Sequence, residues 1–143
     1  MSSLIKKVYL AHPYVRKDYG KVIQTKLEDI GIEVINPFER VEQAIYDRKI
    51  KPGSIATGLD EQDCNDIVEM DLQKIDESDA VVAYMPDGAP SIGTFMEVFY
   101  ASHVVRKPVV SYAPSDRQAH HPWVRYYSHV VRTEGELLEY FRV

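Results

Sequence analysis

The chain has 143 residues, 45% of them hydrophobic and 27% charged, proportions that suit one soluble globular domain spanning 1–143. Its net charge of −5 argues against long nucleic acid or an anionic membrane as partner, because both select a basic face; a single nucleotide needs only a few local donors. Cys64 is the only cysteine, which excludes a disulfide framework or a cysteine metal cluster.

The start, MSSLIKKVYLAHPY, lacks a signal-peptide pattern, and no segment approaches the ~20 apolar residues of a membrane span. A reducing cytoplasm is the expected setting. Residues 8–11 follow two lysines and read as a buried strand stopped by His12-Pro13. Over 14–30, Val15, Val22, Ile23, Leu27 and Ile30 fall near helical spacing, with Gly31 as the C-terminal cap. A short strand is predicted at 32–35, stopped by Asn36-Pro37, then a helix over 38–50 with Val41 and Ile45 on one face. The stretch KPGSIATG, 51–58, reads as a loop and the best candidate for a mobile lid. A helix opens at Leu59 or Asp60 and runs to about Ile75, with Cys64, Ile67, Val68 and Ile75 as its apolar stripe.

Strands follow at 81–85 and 108–112, flanking a helix over 92–105; 113–122 reads as irregular, and 129–132 as a fifth strand. Thr133 with Glu136 three residues on signals a capping box that starts the last helix. Strands alternating with helices imply a parallel sheet covered on both faces, a doubly wound flavodoxin-like α/β domain with strand order 2-1-3-4-5. The first strand is followed by AHPY and not by a glycine fingerprint, which disfavours a dinucleotide-binding half.

Within the helix over 92–105, Glu97 is the only formally charged residue. A carboxylate among apolar neighbours is costly to bury without a partner, and this one lies near the carboxyl end of a strand, where open α/β sheets place ligands. Glu97 is therefore the expected chemical centre, and its place near a helix N-terminus is expected to favour the charged form. Asp71 falls within the apolar stripe of the preceding helix, either held by a structural hydrogen bond or aimed into a cavity; spacing leaves both open. The loop from Met85 to Gly93, MPDGAPSIG, places Ser91 to cap the next helix, and the same geometry suits an anion. Tyr9 reads as core unless its hydroxyl meets Glu97. The spacings of His120, His121 and His129 specify no metal, and no cofactor is implied.

Four segments together, YLAHPY, NPF, MDLQKIDESDAVVAY and PSIGTFMEVFYASHVVRKPVV, resemble the nucleoside 2-deoxyribosyltransferase family over roughly 7–112. The resemblance implies cleavage of the N-glycosidic bond of deoxynucleosides or their 5′-monophosphates. It makes Glu97 the nucleophile, Tyr9 the residue orienting it, and Asp71 the contact to base or sugar. It also implies a homo-oligomer in which a neighbouring subunit helps close each site, here through HHPWVRYYSH with His121, Trp123 and Tyr127. The chain departs from the family pattern twice. His12, before Pro13, stands where many members have glycine, and Ser91 stands where nucleoside transferases commonly carry aspartate. A serine hydroxyl accepts a phosphate that a carboxylate would repel, so Ser91 tilts the expectation toward a nucleotide N-glycosidase, with Ser91, Gly93, His12, Pro13 and Met85 lining the substrate. The competing reading is a non-catalytic nucleotide-binding or signalling module that uses the same crevice.

Overall fold

A computed structural model describes residues 5–39, 45, 59–88 and 92–142. Five strands form one all-parallel sheet: β1 (Lys7–Ala11), β2 (Glu33–Ile35), β3 (Ala80–Tyr84), β4 (Val109–Tyr112) and β5 (His129–Val131). Their spatial order is β2-β1-β3-β4-β5, as the alternation of strand and helix predicted. Tyr9 pairs in register with Ile35 on one side and Val81 on the other.

Side chains of successive strand residues point to opposite faces, and each face has its own core. Val8 and Leu10 of β1 and Val82 and Tyr84 of β3 join Ile23 and Leu27 of α1 (Lys17–Asp29) and Leu137 and Phe141 of α6 (Glu134–Phe141). Tyr9, Ala11, Val81 and Ala83 instead meet Ile75 of α2 (Glu61–Glu77), Val98 of α3 (Ile92–Phe99) and Val124 of α5 (Pro122–Tyr127). No helix among the described residues is long and apolar enough to cross a membrane.

The helix boundaries follow from local chemistry. Before α1 the chain makes a 3-10 turn, Tyr14–Arg16; after it, Gly31 takes φ +91°, the left-handed region that closes a helix at little cost to glycine. Asp60 caps α2: its side chain accepts from Asp63 N–H at 2.8 Å, and Asp63 reciprocates on Asp60 N–H at 3.2 Å. At α6 only half of the expected capping box forms. Thr133 Oγ1 accepts from Glu136 N–H at 3.1 Å, but the Glu136 carboxylate takes the amide of Arg132, one residue earlier than Thr133.

Three expectations change. The helix over 92–105 is α-helical only to Phe99 and continues as a π turn, Tyr100–Val104, in which Val105 N–H reaches Tyr100 O. Arg106 then turns the chain toward β4 at φ +59°, a role usually left to glycine. The stretch 113–122 is not irregular throughout: α4 (Asp116–Ala119) occupies its middle and α5 begins at Pro122. Proline at the first helical position, with His121 Nδ1 accepting from Trp123 N–H, is a start signal that periodicity over so short a helix does not reveal. On α2 the buried stripe is Ile67, Asp71 and Ile75, while Cys64 and Val68 are exposed. The predicted helix at 38–50 lies outside the described residues except for Ile45, which is helical and buried, and the loop at 51–58 lies outside them entirely.

Candidate functional site

Three elements converge on one carboxylate. Tyr9 lies at the centre of β1 and is fully buried; on the α2–α3 face of the sheet its hydroxyl donates to Glu97 Oε2 at 2.7 Å. Glu97 sits in the second turn of α3, beside Thr94 and Val98, which that helix buries against the sheet. Asp71 enters from α2, 8% exposed, on the same stripe as Ile67 and Ile75. Its Oδ1 is buried and has no hydrogen-bond partner among the described residues.

The environment of Glu97 raises its pKa well above the usual carboxylate range. Burial is the largest cause, followed by the charge of Asp71 and a hydrogen bond with it; Tyr9 and the charge of Lys74 oppose them. Proximity to the N-terminus of α3 does not prevail here. Two adjacent negative charges in a dry site repel strongly, which is how Asp71 raises Glu97.

Both acids line a cavity of about 540 Å³ whose other walls are almost entirely apolar, among them Ile67, Leu72, Met96 and Phe99. A concave apolar space with a few convergent polar groups is the common form of a small-molecule site. The π turn contributes Tyr100 and Val104 to the same wall. Tyr100 is fixed from the far side, its hydroxyl donating to Asp76 at 2.7 Å.

The remaining predicted residues divide. Gly93 lines the cavity. Met85 is fully buried in the α2–α3 core and is not part of the cavity wall. His12 is 3% exposed and lies beyond the carboxyl end of β1, Nδ1 donating to Leu10 O at 2.9 Å and the ring edge-on to Phe38. Its neighbour Pro13 is buried and precedes the 3-10 turn. Neither belongs to the cavity that holds Asp71 and Glu97. Ser91 lies outside the described residues. His121, Trp123 and Tyr127 gather with Phe95 and Phe99 around a smaller aromatic-walled cavity of about 190 Å³, which shares Phe99 with the first.

Sequence reasoning missed Lys74 and the π-turn residues. Lys74 stands three residues after Asp71, so helical spacing alone places it near the pair. Tyr100 and Val104 owe their place to the change of helical pitch, for which the sequence carries no simple signal. Among the described residues no group of three or more His, Cys, Asp or Glu side chains is placed to hold a metal ion.

Comparison with known proteins gives a consistent picture. The family model described as nucleoside 2-deoxyribosyltransferase matches residues 8–139. Among solved structures, the chain is similar to a 2-deoxyribosyltransferase from Bacillus psychrosaccharolyticus, 20% identical over 94% of this chain and 91% of that one, with TM-score 0.70. It is also similar to a CMP N-glycosidase from Clostridium botulinum, 19% identical over 96% of this chain and 100% of that one, with TM-score 0.60. A 2-desoxiribosyltransferase from Leishmania mexicana aligns with 77% of this chain and 65% of its own, at 16% identity and TM-score 0.53. Identities this low establish a shared fold. Among curated proteins, no sequence match is found.

Proposed function

This chain belongs to the nucleoside 2-deoxyribosyltransferase family, and from that premise we propose that it breaks the N-glycosidic bond of a 2′-deoxynucleoside or its 5′-monophosphate at Glu97. The observation that carries this reading is the convergence of Tyr9, Asp71 and Glu97 on one apolar cavity. Tyr9 holds Oε2 at 2.7 Å, and this reading assigns attack on the anomeric carbon to Oε1. As the base departs, C1′ gains oxocarbenium character, which a fixed anion both stabilises and traps.

Atoms and charge balance with one proton from the acid pair. Asp71 passes a proton to the leaving nitrogen as the C1′–N bond breaks, while the Glu97 carboxylate forms the ester bond to C1′. A water oxygen or the nitrogen of a second base then attacks C1′ and releases the Glu97 carboxylate. The proton lost by the attacking water or base restores the pair.

The acceptor defines the enzyme type. Ser91, with a hydroxyl in place of a carboxylate, tilts this reading toward a phosphorylated substrate and the nucleotide N-glycosidase reaction. The same reading makes it a homo-oligomer of a reducing cytoplasm. Its exposed apolar residues Ile92, Met96, Trp123 and Tyr126 form the surface that a second copy covers.

One chromatographic assay decides the chemistry. The protein is incubated with deoxynucleosides and with their 5′-monophosphates, with and without a second free base. Base release without an added base identifies a hydrolase, and exchange only with an added base a transferase. Glu97→Gln should lower either rate by several orders of magnitude while the fold is retained. Saturable binding with no turnover would instead support a nucleotide sensor, and near-normal base release by the folded variant would remove Glu97 from the mechanism.

A further inference from the structure

From Arg117 to Thr133 the chain carries no Asp or Glu. The same seventeen positions hold Arg117, Arg125 and Arg132 and three of the five histidines, in a protein whose net charge is −5. The fold does not scatter these groups. His120, Arg125, His129 and Arg132 line a cleft of about 440 Å³ between α4, α5 and the edge strand β5. None of its lining residues is shared with the cavity of Asp71 and Glu97.

One cation in the cleft is already fixed. Arg132 donates from Nε to Ala113 O at 3.0 Å and from Nη2 to Pro114 O at 3.2 Å and Asp116 Oδ1 at 2.7 Å. Those bonds hold the guanidinium plane and leave Nη1 without an acceptor among the described residues. Asp116 is the acid that pairs with the Arg132 side chain, while Glu136 accepts from the Arg132 backbone amide at 2.6 Å. The hydrogen bond and charge contact of Asp116 with Arg132 keep it ionised, and His120 Nε2 lies 4.0 Å from Asp116 Oδ1. Of the two guanidinium groups only that of Arg132 has a carboxylate partner; Arg125 has no acidic partner among the described residues. The floor is closed by Ser128, whose hydroxyl accepts from Ser111 and donates to Val124 O.

We propose that this cleft is a second binding site, taking the phosphate group of a phosphomonoester. Arg125 supplies the paired N–H donors that suit phosphate oxygens, Arg132 adds its Nη1, and His120 and His129 add ring nitrogens at the rim. The cleft has more room than a phosphate alone requires, so a nucleoside monophosphate fits its size.

Trp123, the only tryptophan, lies in α5 two residues before Arg125 and reports occupancy directly. Its fluorescence is followed in the Glu97→Gln protein, which cannot turn over substrate, at constant ionic strength. One arm adds inorganic phosphate, a second a deoxynucleoside 5′-monophosphate, and a third sodium chloride. The expected result is a saturable change with the first two and none with chloride. Arg125→Gln should weaken binding at least tenfold, Arg125→Lys should restore part of it, and Arg117→Gln, outside the cleft, should leave it unchanged. Equal affinity in the two phosphate arms assigns recognition to the phosphate alone, and tighter binding of the nucleotide adds its base or sugar. A response no different from that to chloride, or an Arg125→Gln protein that is folded by circular dichroism and binds as before, would overturn the site. Neither result depends on whether Glu97 is the nucleophile.

Discussion

At the scale of single residues, Tyr9 and Asp71 act on Glu97 in opposite senses. The tyrosine stabilises the anion with a hydrogen bond, while the aspartate opposes it with its charge. Because Glu97 must be ionised to attack C1′, the raised pKa sets the acid limb of the rate profile above the usual carboxylate range. Asp71→Asn removes the acid that raises Glu97, so the limb of kcat should move to lower pH, while kcat itself falls because no side chain then protonates the leaving base. A profile that keeps its limb would show that burial alone sets the ionisation. His12 titrates with the opposite consequence for stability. Burial lowers it from 6.5 to about 4, against the hydrogen bond to Leu10. The folded protein prefers the neutral ring and the unfolded chain takes the proton more readily. Stability from this group is therefore complete above about 6.5 and lost as pH falls toward 4, by about 3 kcal/mol at most. Urea unfolding at pH 7, 5.5 and 4 should show that loss in the wild type and a shallower one in His12→Gln.

At the scale of elements, the legible features were those with a strong local signal. Strand positions, the Gly31 terminus and the cap at Asp60 follow from alternation, a glycine and a capping residue. The lone charge of α3 marked Glu97, and spacing brought Asp71 to the buried stripe. That Tyr9 reaches Glu97, 88 positions later in the chain, depends on the register of β1 against β3 and on the packing of α3, which no local pattern encodes. The π turn escaped for the same reason. It ends beside a device that ties α2 to the next strand: Lys107 Nζ donates to Ile75 O at 2.8 Å and Ser78 O at 2.6 Å, and also to Asp76 O. A cation on the last carbonyls of a helix satisfies groups that otherwise lack partners and complements the helix dipole. Lys107→Met should cost about 1–3 kcal/mol in chemical denaturation, with the pH profile of base release unchanged. A loss of activity at constant stability would instead give Lys107 a part in the chemistry.

At the scale of the whole molecule, the four most exposed large apolar side chains among the described residues lie on two neighbouring helices. Ile92 and Tyr126 are each 80% exposed, Met96 is 63% and Trp123 62%, all on α3 or α5. Isolated exposed hydrophobes are ordinary, but a group on neighbouring helices beside an open apolar cavity is typical of an interface. The wild-type protein should sediment as a dimer or larger species, and Ile92→Glu with Tyr126→Glu should shift it toward monomer. A wild type that stays monomeric at high concentration would leave this face to another partner.

The ring of His12 and the bare backbone of Gly20 in α1 share one volume: a Cβ at position 20 would lie 2.3 Å from His12 Nε2. The two positions are therefore epistatic. A methyl at 20 is admissible only after the imidazole at 12 has shrunk, so mutational routes that change 20 first pass through a strained intermediate. Directed evolution of the loop after β1 should vary both codons together, because a library randomised at one of them alone samples a small part of what the pair can accept.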